Sequence, residues 1–193
     1  MTGLPDSCRS HPAAPGHVCP IDRKGRYPNG GLQWCPFGLL ARSEASMLIL
    51  SLKFFAVLSA ALFAGAALYI NVAEHPARMG LETRMAALQW APSYGRATWL
   101  QAPLAILSLL TGVAVWFLGG GIGWLVGALL VGAVVPFTFL VIMPTNQKLL
   151  APDRDHSSIE TRELLVRWGQ LHAVRTVLSL VGTAIYLGTS LRA

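Results

Sequence analysis

The sequence predicts an all-α membrane protein: a four-helix bundle in the bilayer, preceded by a disordered N-terminal extension. Three observations carry that reading. Hydrophobic residues fill 53% of the 193 positions and charged residues only 12%, where a soluble domain carries about a quarter charged. Mean hydropathy is +0.51. Four apolar segments, over residues 48–70, 99–118, 122–141 and 173–191, each approach the ~20 residues that cross a bilayer. Other classes fall away on the same grounds. Cys8, Cys19 and Cys35 are odd in number and lack CxxC spacing, which argues against a disulfide framework or a zinc site. The formal net charge of +6 does not imply nucleic acid, because no basic run interrupts the apolar body and loop arginines suit a membrane protein.

Residues 1–46 are rich in Pro, Gly, Ser, Arg and Cys without apolar periodicity, which reads as disorder. They hold no apolar core followed by a small-residue cleavage site, so they are not a signal peptide. Composition changes abruptly at Met47. The expectation is that Met47 is the true start and the preceding segment an upstream extension; a genuine disordered tail is the alternative. Span one, residues 48–70, is broken only by Lys53, near enough to its end to snorkel. Span two, 99–118, tolerates Pro103 in its first turn. The glycine-rich stretch from Gly119 to Gly123 then makes spans two and three an antiparallel hairpin. Pro136 is expected to bend span three, 122–141. Small residues four apart, Ala61/Gly65 and Gly123/Gly127, would let helices approach closely. Ser157 with Glu160 fits a capping box that opens a helix running on into span four, 173–191, with Glu163 and Arg167 as an i,i+4 pair.

Basic residues set the expected orientation. Arg78, Arg84 and Arg96 follow span one, and Lys148, Arg154, Arg162, Arg167 and Arg175 follow span three, whereas the glycine turn has none and the C-terminus only Arg192. Both long loops are therefore expected in the cytoplasm, in an integral protein of a bacterial cytoplasmic membrane.

That rim gathers groups able to do chemistry. Asn71 and His75 are four apart on one helix face, and Glu74 and Arg78 on the next, with Pro76 among them disturbing regular helix. Thr145 and Asn146 end span three, while Trp168, His172 and Arg175 share one stripe of the last helix. Each residue alone has a structural reading: capping, snorkelling, or, for Trp90 and Trp99, interfacial anchoring. Two histidines, two asparagines and an arginine on one rim exceed what a scaffold needs, which favours a functional pocket. Haem or metal held by His75, His172 and Glu74 is disfavoured, because neither helix carries a second histidine and no HExxH or CxxCH motif is present.

The stretch Tyr69-Ile-Asn-Val-Ala-Glu-His-Pro-Ala-Arg78, the segment Met143-Pro-Thr-Asn146 and the run from Trp168 to Arg175 together resemble the anthrone oxygenase-like family, over about residues 48–191. The family's four-span membrane fold agrees with the bundle that hydropathy predicts. The resemblance implies oxidation of a lipophilic phenolic or polyketide-type compound by dioxygen without metal or organic cofactor. It implies His75, His172 and Arg175 as catalytic residues and Asn71, Asn146 and Trp168 as substrate-binding ones. Either His75 or His172 can be the base, and Arg175 with Asn71 or Asn146 can hold the developing oxyanion. Expected partners are the lipid bilayer and a lipophilic small molecule, not nucleic acid. The rival reading is a non-enzymatic membrane protein, a small-molecule binder or assembly partner. One shared site requires spans one and four to meet, with the His75 and His172 rings within about 12 Å of each other.

Overall fold

The computed structural model describes the backbone of residues 36–192 and the side chains of residues 44–192. The chain divides into a unit of residues 1–42 and a unit Ser43–Ala193, and the second of these holds the bundle. Of the segment read as a tail, residues 1–35 lie outside the described residues; helical backbone begins at Pro36.

Four helices are long and apolar enough to cross a membrane: α1 (Glu44–Met79), α2 (Thr83–Gly120), α3 (Ile122–Leu149) and α4 (Ile159–Ser190). The protein is an all-α integral membrane protein. Apolar side chains such as Phe54, Leu62, Leu110, Phe117, Leu140 and Val177 face outward, a surface that lipid rather than water must cover. The helices outrun the spans read from hydropathy. Arg84 and Arg96 depress the apolar signal ahead of Trp99, yet α2 already begins at Thr83, so Trp90–Thr98 is helix rather than loop.

Helices α1 and α3 each widen ahead of a proline. Ile70–Glu74 in α1 and Thr138–Ile142 in α3 are π-helical turns, in which His75 N donates to Ile70 O and Met143 N to Thr138 O. Each turn is followed at the second residue by a proline, Pro76 or Pro144. Proline has no N–H to give, and its ring clashes with the carbonyl four residues back, so a wide turn absorbs it without ending the helix. The expected disturbance at Pro76 is therefore a π turn. Near Pro136 the α-helix breaks at Ala133 and resumes at Val134. Between α2 and α3 the glycine turn needs Gly119 and Gly121 at φ 88° and 90°, a region that side chains with a Cβ disfavour.

The bundle core runs in three layers. Ala56, Ala60, Trp124, Val131 and Tyr186 fill one end; Phe63, Ala67, Ala105 and Val134 the middle; Ile70, Trp90, Ile142, Leu165 and Trp168 the loop-bearing rim. Gly127 lets α3 and α4 close up: a Cβ there would stand 2.7 Å from the Tyr186 ring. Gly65, by contrast, meets nothing within 4 Å, so the Ala61/Gly65 pair is not a packing face. Trp90 is 1% exposed and is a core residue rather than an interfacial anchor, whereas Trp99 is exposed. The cap of α4 is Ser158, whose hydroxyl accepts from Thr161 N at 3.2 Å, one residue later than expected. Glu163 and Arg167 form no ion pair; the pairs among the described residues are Arg78–Glu74 and Arg154–Glu160.

The two hairpins follow one plan. Glu82-Thr83-Arg84 with Trp90 recurs as Glu160-Thr161-Arg162 with Trp168 at the same spacing, each after a wide turn and a proline. The two tryptophans meet edge to face, 5.8 Å apart at 83°, at the centre of the rim. Arg162 crosses to the end of α1, donating to Leu81 O at 3.0 Å and to Met79 O, which supplies acceptor-rich helix-end carbonyls with charged donors.

Candidate functional site

The wide turn in α1 carries Asn71, and its sheltered amide ties α1 to α4. Asn71 Nδ2 donates to Gly169 O at 3.1 Å. Its Oδ1 accepts from the Thr176 hydroxyl at 2.6 Å and from His172 Nδ1 at 2.8 Å. An amide oxygen can only accept, so His172 carries its proton on Nδ1 and keeps its lone pair on Nε2. This Asn–His arrangement fixes a tautomer ready to take a proton.

His75 is held differently. Its Nδ1 faces Arg78 Nη1 at 3.4 Å, and a guanidinium only donates, so Nδ1 is the acceptor and Nε2 bears the proton. That nitrogen lies over Gly169, where an added Cβ would collide with it. Arg78, 2% exposed, also binds Glu74, Gln89 Oε1 at 2.5 Å and Ser93 Oγ at 3.2 Å, while Ser93 donates to Glu74. The network is satisfied on every side and joins α1 to α2.

The π turn and helix stripe bring the two imidazoles to one indole. Trp168 stands 5.2 Å from the His75 ring and 4.9 Å from the His172 ring, so the histidines are within about 10 Å of each other. Spans one and four meet at this indole.

Trp168, His172 and Arg175 line a cavity of about 20 Å³, together with Ile70, Glu74, Arg78, Trp90, Ser93, Tyr94, Ala97, Thr98 and Gln101. Of the six candidate catalytic and substrate-binding residues, His75, Asn71 and Asn146 stand outside that lining. Asn71 acts on it through His172. Asn146 is fully buried, and neither of its amide atoms has a partner among the described residues. Arg175 lies at membrane depth with no carboxylate partner among the described residues; it donates from Nη2 to Gln101 Oε1 at 2.8 Å and lies 5.4 Å from the Phe63 ring centre.

Sequence reasoning missed Gln101, Trp90 and Tyr94 as cavity residues. Gln101 had a signal, a lone amide inside an apolar run, since such a group at membrane depth is expensive unless it pairs. Trp90 had the repeated Glu-Thr-Arg motif. Tyr94 stacks on Trp90 at 5.1 Å and had neither.

A buried polar rim with an oriented imidazole close to a guanidinium, in a bundle of four membrane-capable helices, defines an all-α membrane protein with a candidate site at that rim. The family model for anthrone oxygenase matches residues 90–185, and the chain belongs to the anthrone oxygenase family. It is 31% identical over 124 residues to the anthrone oxygenase ptaC of Pestalotiopsis fici, covering 54% of this chain and 84% of that protein. It is 40% identical over 77 residues to the anthrone oxygenase tpcL of Aspergillus fumigatus, 38% of this chain and 48% of that protein. This second alignment spans about half the length of its relative. No solved structure matches the chain.

Proposed function

We propose that the protein oxidises a lipophilic phenolic or polyketide-type carbon acid with dioxygen, drawing substrate from the bilayer, with His172 as base. The observation that carries this reading is the bond from His172 Nδ1 to Asn71 Oδ1, which leaves Nε2 as an acceptor in a ring that lines the cavity beside Arg175. Family membership supports the substrate class, since the relatives are named anthrone oxygenases.

The chemistry asks little of the protein. A methylene flanked by aromatic rings and conjugated to a carbonyl gives a proton to His172 Nε2. The resulting carbanion passes one electron to dioxygen, and the radical and superoxide combine through a new C–O bond. The peroxide anion regains the proton from His172. Loss of the second C–H proton with cleavage of O–O then leaves a carbonyl and one water. Arg175 stabilises the negative charge that builds up along this path, and Asn71 holds the imidazole. We assign Trp168 and Asn146 to the substrate, and His75 to positioning rather than proton transfer. The reading needs no metal or organic cofactor.

Purified protein given a model anthrone under ¹⁸O₂, with metals chelated, should yield a quinone with one labelled oxygen. No oxidation across a panel of reduced phenolics would favour the rival, a membrane protein that binds small molecules without turning them over.

A further inference from the structure

We propose that the cavity between α2 and α4 is a binding site for one small monoanion, held by donors that the fold leaves without acceptors. Trp90 Nε1, Gln101 Nε2 and Arg175 Nε are buried, and none has a hydrogen-bond partner among the described residues. All three residues line the same cavity. They come from two helices, α2 and α4, so no single helix accounts for the coincidence. Buried donors are almost always paired, and three unpaired ones around one space define what belongs there: an acceptor.

Charge makes that acceptor an anion. The lining carries one carboxylate, Glu74, and two guanidinium groups, Arg78 and Arg175. Glu74 is already matched by Arg78 and the Ser93 hydroxyl. Among the described residues Arg175 has only the neutral Gln101 oxygen as hydrogen-bond acceptor, so within them one positive charge stays uncompensated at membrane depth. The space, about 20 Å³, exceeds the ~10–15 Å³ that one water needs by the same measure. It suits an ion of very few atoms; a fused aromatic system does not fit inside it, and on the oxygenase reading only the reacting carbon of the substrate reaches its edge at His172.

The occupant's identity rests on the oxygenase reading. Under it, the anion is superoxide, formed when the substrate carbanion passes one electron to dioxygen. The pocket stabilises the product of that electron transfer, and the substrate's own oxygen is held elsewhere. His172, on the same lining, is then placed to return its proton to the peroxide after the C–O bond forms.

The test uses chloride and azide as probes on the detergent-purified full chain. Titration followed by ³⁵Cl line width should show saturable broadening that azide removes, weakened in Trp90→Phe and absent in Arg175→Gln. Helical circular dichroism confirms that each variant is folded, and Trp90→Phe, which keeps an aromatic ring, provides the reading should Arg175→Gln fail to fold. Broadening that never saturates, or is unchanged in the folded variants, overturns the site. In turnover, azide should compete with dioxygen, and Trp90→Phe should raise the KM for dioxygen severalfold while leaving that for the phenolic compound unchanged. Competition with the phenolic compound instead overturns the superoxide assignment. Chloride binding as expected, with no phenolic oxidised, keeps the anion site and removes the oxygenase reading, so the two fail separately.

Discussion

At the scale of the residue, two histidines on one rim are given different work by their neighbours. His172 receives an acceptor on Nδ1 and keeps a lone pair on Nε2; His75 has Arg78 on one side and the α4 backbone at Gly169 on the other. Replacing His172 by Gln should lower kcat ~10²–10⁴-fold, the usual loss for a general base, and also cost stability, because its bond to Asn71 is buried. Replacing His75 by Gln should destabilise the fold by a similar ~1–3 kcal/mol, as expected when buried polar groups lose a partner, but leave kcat within about tenfold of the parent. Thermal unfolding and steady-state kinetics on both variants check the split, and equal kinetic losses would contradict it. Gly169→Ala should resemble the His75 variant, because the added methyl strikes the His75 ring. Asn146 offers a second contrast. A Leu there removes two unpartnered groups, so the fold should hold or gain stability, whereas loss of a substrate contact should raise KM at constant kcat. The spacing of Asn71, Trp168, His172 and Arg175 made their shared rim legible in the sequence. Hydrogen-bond direction, which separates the two imidazoles, depends on contacts across 101 residues of chain and no local pattern holds it.

Helix existence was written in hydropathy, whereas helix ends were not. Arg84 and Arg96 hid the first turns of α2, and with them Trp90 and Tyr94, although the protein keeps these residues helical and packs Trp90 into the core. The small-residue pattern was half informative, since four-residue spacing marks a helix face but not what meets it. Gly127 faces Tyr186 and Gly182, while Gly65 faces open space. Gly127→Ala should therefore lower stability by ~1–3 kcal/mol through overpacking. Gly65→Ala should raise it by ~0.5–1 kcal/mol through helix propensity. Unfolding in detergent distinguishes them, and the reverse order would mean that α3 and α4 are not in close contact at Gly127. The excess of arginine and lysine around the two long connections also predicts orientation. Reporters fused at Gly121 and after Ala193 should both signal the external side, and a cytoplasmic signal at either would reverse the assignment.

At the scale of the bundle, the described residues join two hairpins of one plan, and the candidate rim site lies where their equivalent tryptophans, Trp90 and Trp168, cross. That geometry explains why residues from α1, α2 and α4 converge although they lie far apart in the chain. The repeat is present in the sequence as Glu-Thr-Arg and a tryptophan at fixed spacing. Its first copy is masked because the charges around it make that stretch resemble a loop. The central claim is that this crossing is an oxygen-consuming site run by His172. An oxygen electrode tests it most directly, on purified full-length parent, His75→Gln and His172→Gln proteins, with chelator and a model anthrone. Uptake is predicted for the parent and for His75→Gln, and none above the protein-free rate for His172→Gln. Parental uptake by His172→Gln, or no uptake by any of the three, would contradict it.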